Sequence, residues 1–262
     1  MGSLLRCGLV QADIAWQDPA ANRAALSSRL DALPSADFIV LPETCMTGFE
    51  AGTEQAESMQ GDGVAWLIDQ ARARQAAVAA GLLIREHGRI YNRLVVAMPD
   101  GRLEHYDKRH LFSAGGEREK AGYSKGVQRH RLDWHSWRID LQICYDLRFP
   151  VWCRNHASED HRFDLQIFVA NWPSPRVDAW LALLKARAIE NQAVVIGVNR
   201  TGVDGKGIEY PGQSAAFDAN GQCLAQLGSE PESRLLVLDR DDVVETRQRL
   251  PFLPDRDSFN WA

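Results

Sequence analysis

Short apolar runs that stop abruptly at a polar residue or a proline constrain this chain more than any other feature. Ile139-Asp-Leu-Gln-Ile-Cys144 alternates apolar and polar residues with the period of two that a strand requires, and Pro150, soon after it, cannot donate to a ladder. The chain is therefore expected to leave a sheet just after Cys144. Phe38-Ile-Val-Leu-Pro42 behaves in the same way and delivers Glu43. Residues 103–106, the second arm of a hairpin turned by Pro99-Asp100-Gly101, deliver Lys108, and residues 163–170 run into Asn171-Trp172-Pro173.

Between these runs the apolar spacing turns helical. Residues 22–33 after Asp18-Pro19, residues 61–78 and residues 177–193 read as helices; residues 4–12, 79–84, 91–98, 128–134, 137–143, 194–199 and 233–238 read as further strands. Residues 214–218 and 224–227 form a hairpin around Asn220-Gly221, and residues 202–212 form a glycine-rich connection. Strand–helix–strand units with interposed hairpins imply an α/β chain with two mixed sheets packed face to face and helices outside. No repeat or low-complexity linker interrupts residues 1–262, so one domain is expected, with residues 241–262 a C-terminal arm holding a helical turn and the apolar pair Phe252-Leu253.

The bulk numbers exclude several classes. A formal net charge of −5 with 45% hydrophobic and 25% charged residues gives no pull towards nucleic acid or an anionic membrane. No segment approaches the ~20 apolar residues needed to span a bilayer, and the N-terminal apolar run is too short for a signal sequence. The five cysteines, at 7, 45, 144, 153 and 223, are odd in number and contain no CxxC pair, so neither a disulfide framework nor a metal site is expected. Free thiols fit a cytoplasmic chain.

Alone, Cys144 reads equally as a small buried hydrophobe and as a nucleophile, Glu43 as a surface residue or a base, and Lys108 as one member of a solvated charged run. Together they can do chemistry. A carboxylate can take a thiol proton, the thiolate can attack a carbonyl carbon, and a nearby ammonium can hold the oxyanion. No histidine flanks Glu43 or Cys144, although His105 and His110 lie beside Lys108.

Leu-Pro-Glu43-Thr-Cys-Met-Thr-Gly-Phe, Tyr-Asp-Lys108-Arg-His-Leu-Phe and Cys144-Tyr-Asp-Leu-Arg-Phe-Pro resemble the three blocks of the nitrilase (carbon–nitrogen hydrolase) superfamily. Ala170-Asn-Trp-Pro173, Lys185-Ala-Arg-Ala-Ile-Glu-Asn-Gln192 and Gly197-Val-Asn-Arg-Thr-Gly202 are similar to its Nit-type branch, and within it to bacterial ω-amidases acting on 2-oxoglutaramate. The resemblance implies a four-layer αββα sandwich that dimerises into an αββα–αββα stack. It implies Glu43 as general base, Cys144 as nucleophile, and Lys108 with the backbone N–H of Tyr145 as oxyanion donors. A second glutamate follows the lysine block in the family; Glu117 stands at the expected distance, with Glu119 as the alternative. No cofactor and no metal are implied.

The implied reaction converts a small ω-amide, of the 2-oxoglutaramate or 2-oxosuccinamate type, to the acid and ammonia through a cysteine thioester. The distal carboxylate of such a substrate calls for an arginine, with Arg148, Arg176 and Arg200 available, and Phe49, Phe112, Tyr145 and Trp172 can line a small pocket. The competing readings are an amidase or N-carbamoyl amino acid hydrolase with another small substrate, and a non-catalytic binding protein in which Cys144 serves as a redox-sensitive thiol able to pair with Cys153. A true nitrilase is disfavoured, because Cys144 is followed by Tyr-Asp rather than Trp-Glu.

Overall fold

Asp18 accepts a hydrogen bond from the backbone N–H of Ala21 (3.0 Å) and Pro19 occupies the first turn, so helix α1 begins at its cap and spans Pro19–Ala32, earlier than apolar spacing alone indicates. The computed structural model describes residues 3–257 apart from 51, 114–118, 120 and 121. One six-stranded sheet contains β1 (Leu4–Gln11), β2 (Phe38–Val40), β3 (Ala77–Glu86), β4 (Arg89–Ala97) and β5 (Leu103–Asp107). The other contains β6 (Arg131–Trp134), β7 (Trp137–Ile143), β8 (Leu165–Ala170), β9 (Val194–Asn199), β12 (Ala215–Phe217) and β13 (Cys223–Gln226). The last strand, β14 (Glu232–Asp239), returns to pair antiparallel with β1, giving the orders β14-β1-β2-β3-β4-β5 and β13-β12-β9-β8-β7-β6.

In each sheet three consecutive strands run parallel and antiparallel strands complete the edges: β1, β2 and β3 in the first, β7, β8 and β9 in the second. The mixed sheets follow from the two chain connections used. Crossovers through α1 and through α2 (Asp62–Arg74) make parallel neighbours, whereas the turns after Glu86 and Pro99-Asp100-Gly101 make antiparallel ones.

The alternation along the first sheet sorts its residues into two cores. Leu5, Cys7, Leu9, Phe38, Val40, Ala77, Ala79, Leu94 and Val96 face the second sheet and join Ile139, Leu141, Ile143, Ile167 and Val169. Val10, Ile39, Val78, Ala80, Val95 and Ala97 face outward, under Leu26 and Leu30 of α1 and Val64, Leu67 and Ala71 of α2. Each fully buried Leu, Ile or Phe contributes about 1.5–3 kcal/mol, so a one-residue slip in register would exchange the two sets and is strongly disfavoured. Helix α3 (Val177–Asn191) covers the far face of the second sheet, with Trp180 and Leu184 seated on Gly197 of β9. The layers are helix, sheet, sheet, helix, as expected for the αββα sandwich.

Local boundaries differ from the periodicity where a left-handed residue ends a helix. Gln75 (φ 51°) stops α2 and Gln192 (φ 45°) stops α3, which frees Ala77 and Val78 to pair with Phe38 and Ile39. The glycine-rich connection 202–212 contains a separate hairpin, β10 (Thr201–Val203) with β11 (Glu209–Pro211). The tail also differs. Residues Arg240–Arg249 form a ten-residue helix, α4, held by Arg247, whose guanidinium bonds Asp164 Oδ1 (2.8 Å), the Gln192 carbonyl (2.9 Å) and the Phe163 carbonyl (2.6 Å). Leu253 is buried against its own chain, so it does not stand out towards a neighbour.

Candidate active site

The parallel strands of both sheets end at one edge of the sandwich, and the polar residues at their exits meet there. Glu43 follows β2 directly through Leu41 and Pro42. Its backbone lies against Gly81 of β3: the Gly81 N–H donates to the Pro42 carbonyl (3.1 Å) and the Cys45 N–H donates to the Gly81 carbonyl (2.9 Å). A Cβ on Gly81 would come within 2.5 Å of Glu43 Cα and 2.7 Å of the Thr44 nitrogen, so only glycine admits this approach. Gly81→Ala is expected to displace Glu43, lowering kcat/KM about 10²-fold and stability by about 1–3 kcal/mol. Steady-state kinetics and denaturant unfolding check this, and unchanged kinetics would show that the contact is slack.

Glu43, Lys108 and Glu119 are buried and share hydrogen bonds. Lys108 Nζ donates to Glu43 Oε1 (2.9 Å), Glu119 Oε1 (2.9 Å) and Glu119 Oε2 (3.2 Å). Asn92, in the middle of β4, donates from Nδ2 to Glu43 Oε1 (2.8 Å) and to Glu119 Oε1 (3.0 Å). Glu43 Oε2 accepts from the Asn171 backbone N–H (2.7 Å) and from Asn171 Nδ2 (3.1 Å). The Phe112 N–H donates to Glu119 Oε2 and completes that carboxylate. The Nζ of Lys108 also lies 5.2 Å from the centre of the Phe49 ring.

The charges follow from this arrangement. Burial pushes the Glu43 carboxyl up, but the Lys108 ammonium and the donors from Lys108, Asn171 and Asn92 outweigh it and hold Glu43 below the usual carboxylate range. For Lys108 burial acts downward, and Glu119 and Glu43 reverse it, leaving the ammonium well above the ordinary lysine range. Glu119 is raised, because burial and the Glu43 charge exceed the attraction of Lys108. Burial, and then the Glu43 charge, push the Cys144 thiol well above its ordinary value, so at rest it is an uncharged thiol beside an ionised carboxylate.

Cys144 ends β7 with φ +43°, a left-handed conformation rare for a residue with a side chain, and opens the 3₁₀ turn Cys144–Arg148. The strained corner turns the thiol out of the sheet, with Sγ 4.0 Å from the Asn171 carbonyl oxygen. Asp146 holds the corner. Its carboxylate accepts from the Ile143 N–H (3.2 Å), the Tyr106 hydroxyl (2.8 Å) and the His110 N–H (2.9 Å), tying the cysteine turn to the strand and loop that carry Lys108. The thiol faces a cavity of about 490 Å³ also lined by Phe49, Phe112, Tyr145, Trp172, Arg148 and Arg176.

The carbon-nitrogen hydrolase family model matches residues 6–248 of the chain. This chain is a carbon-nitrogen hydrolase. An omega-amidase YafV from Yersinia enterocolitica is 38% identical, over 98% of each chain. A 2-oxoglutaramate amidase from Bacillus subtilis is 32% identical, over 84% of this chain and 85% of that one. The crystal structure of XC1258 from Xanthomonas campestris, a CN-hydrolase superfamily protein with an arsenic adduct in its active site, superposes with a TM-score of 0.95 at 43% identity over 99% of both chains. The chain is thus an amidohydrolase acting on carbon–nitrogen bonds other than peptide bonds, and the non-catalytic reading is not favoured.

The structure brings Glu43, Lys108 and Cys144 together, and Phe49, Phe112, Tyr145, Trp172, Arg148 and Arg176 line the cavity beside them. Glu119 is hydrogen-bonded to Lys108, and Glu117, the residue favoured by spacing, lies outside the described residues. Arg200 does not reach the pocket. It is buried, bonding the Thr201 carbonyl (3.0 Å), Asp13 Oδ1 (2.9 Å) and the Ile14 carbonyl (3.1 Å), and it is spent on joining β9 to the segment after β1. His110 is held by Asp146 (2.7 Å) and stacked on Phe149 at 3.6 Å, and Cys153 is a free thiol 3.1 Å from the Asp146 carbonyl, so neither partners Cys144. Sequence reasoning missed Asn92 and Gly81, and it placed Asn171 at a strand exit without giving it a role. Asn92, between Tyr91 and Arg93, carries no signal of its own, whereas Asn171 follows β8 as Cys144 follows β7.

Proposed function

We propose that the chain hydrolyses the ω-amide of a small dicarboxylic acid, of the 2-oxoglutaramate or 2-oxosuccinamate type, to the acid plus ammonia. The observation that carries this reading is a pair of guanidiniums on the cavity wall, which also carries Lys206 paired with Glu50. Arg148 lies over the Trp172 ring at 4.8 Å and Arg176 over the Phe112 ring at 5.3 Å, and neither guanidinium has a carboxylate partner among the described residues. Guanidiniums backed by aromatic faces and left without an anion suit a substrate carboxylate. The relatives named omega-amidase and 2-oxoglutaramate amidase support the same substrate class.

In this reading Glu43 takes the proton from Cys144 as sulfur attacks the amide carbon. The oxyanion is held by Lys108 and by the Tyr145 N–H, which stands in the first positions of a 3₁₀ turn, where N–H groups have no partner within the turn. Glu43 passes its proton to the leaving nitrogen, the C–N bond breaks, and ammonia departs from a thioester on Cys144. Glu43 then deprotonates a water that attacks the thioester carbon, and the released sulfur takes that proton back. Glu119 holds Lys108 throughout.

The test is a substrate panel. Wild-type enzyme should prefer the carboxylated amide to a neutral amide of similar length, to an N-carbamoyl amino acid and to a nitrile. Replacing either Arg148 or Arg176 by methionine should raise KM for the carboxylated amide about 10- to 100-fold, the worth of a charge-assisted hydrogen bond, and leave the neutral amide nearly unchanged. A wild-type preference for the neutral amide would end this substrate assignment. We also propose a cytoplasmic homodimer, on the strength of the family resemblance and of five cysteines that are all free. The net charge of −5 offers nothing to attract nucleic acid.

A further inference from the structure

The Glu43 carboxylate is saturated in this structure. Asn92 Nδ2 and Lys108 Nζ both donate to Oε1, while the backbone and side-chain nitrogens of Asn171 both donate to Oε2. A carboxylate has about four lone-pair sites, so a base in this state accepts a thiol proton only after one donor lets go. Asn171 stays in place, because its backbone N–H donates to Oε2 (2.7 Å) and the two hydrogens of its Nδ2 are also shared with the Glu43 carbonyl (2.9 Å) and Thr44 Oγ1 (3.0 Å). Lys108 alone sits on a chain of rotatable bonds and has a second carboxylate, Glu119, to hold it. Movement of Lys108 from Glu43 to the substrate oxyanion would open Oε1 to the proton and leave Asn92 as its only donor.

Asn92 is built for that position. Its backbone carbonyl oxygen accepts from the Lys108 backbone N–H (2.9 Å), it is fully buried on β4, and its side-chain Oδ1 has no partner among the described residues. A buried amide with one end unpaired is destabilising, and what the other end provides is a donor shared between two carboxylates.

We propose that Asn92 is a positioning residue for the base: its amide, bonded to Glu43 and Glu119 at once, keeps Glu43 ionised and in register with the thiol while Lys108 exchanges to the oxyanion. This rests on Glu43 being the base. The charged and titratable groups around Glu43 are Lys108 after β5, Glu119, Cys144 after β7, Tyr123 and Tyr210 of β11. A donor stabilises the ionised carboxylate, so its loss makes Glu43 protonate at higher pH.

The experiment compares pH profiles of kcat/KM for wild type, Asn92→Ala, Asn92→Asp and Glu43→Gln. Asn92→Ala should lose about tenfold in kcat with little change in KM, and its acidic limb should move up by about one pH unit, the equivalent of one hydrogen bond to a charge. Asn92→Asp, nearly isosteric, should move the limb further by adding a third carboxylate. Glu43→Gln should be inactive at every pH. A uniform loss of rate with the limb unmoved in both Asn92 variants overturns the proposal, as does failure of both to fold, since the bonds would then serve the fold. If Glu43→Gln retains substantial activity, the assignment of the base itself has failed, whatever the Asn92 variants do.

Discussion

Replacing Cys144 by alanine is expected to reduce turnover by at least about 10⁴-fold while leaving the fold intact. Loss of a nucleophile in a concerted catalytic set removes essentially all of the chemical step, and what survives reflects binding and the oxyanion donors alone. The structural cost is small. Cys144 contributes no strong hydrogen bond, its sulfur being 4.0 Å from the Asn171 carbonyl, and alanine has no larger a side chain to place at φ +43°. Stability should change by about 1 kcal/mol. Intact-mass measurement during turnover should show an acyl adduct on the wild type and none on the variant. A variant retaining near-native rate would rule out the thioester route.

Lys108→Met should damage both activity and stability, and the stability loss should depend on pH. Removing an oxyanion donor costs about 10²–10³ in kcat. Removing the cation also leaves Glu43 and Glu119 buried together, and breaking such a pair from one side costs roughly 3–5 kcal/mol at neutral pH. Without Lys108 both carboxyls would be raised in the folded state relative to the unfolded value of about 4.3. The folded state then binds more protons than the unfolded state, so the variant loses stability as pH rises from that value and regains it as pH falls. Denaturant unfolding at pH 5 and pH 7.5 should show a deficit that shrinks at the lower pH. An equal deficit at both would mean that the two carboxylates do not interact.

The reactive residues were legible in the sequence because the fold needs the same signal that marks them. A buried parallel strand must be apolar and must stop, and Glu43 and Cys144 stand where Phe38-Ile-Val-Leu-Pro42 and Ile139-Asp-Leu-Gln-Ile143 stop. Lys108 stands just past β5, an antiparallel edge strand of mostly polar residues, and was marked by the hairpin turn before that strand rather than by an apolar run. Asn92 carries no such mark. It shares the face of β4 that carries Leu94 and Val96 towards the second sheet, a position where a polar residue is unexpected, and its partners Glu43 and Glu119 come from distant segments that spacing along the chain does not bring together. Spacing after the lysine block points to Glu117, whereas Glu119 is the glutamate that bonds Lys108 (2.9 Å), because distance along a chain does not fix which side chain of a loop reaches a partner. Arg200 reads like a pocket cation in sequence, yet it is held by Asp13, 187 positions earlier in the chain. The tail was read as mostly extended because Leu250-Pro and Leu253-Pro interrupt it, but the ten residues before them satisfy the conditions for a helix and gain the Arg247 contacts.

The two sheets contribute unequal halves of the machinery. Glu43, Lys108 and Asn92 come from the first sheet, and Cys144 and Asn171 come from the second, with Asn171 hydrogen-bonded across the seam to Glu43. No rotamer change within one sheet can restore the thiol–carboxylate geometry if the sheets slide. The separation of the layers, set by side chains such as Leu9, Val40, Ile143 and Val169 far from any substrate, therefore acts as the gauge block against which the reacting atoms are aligned.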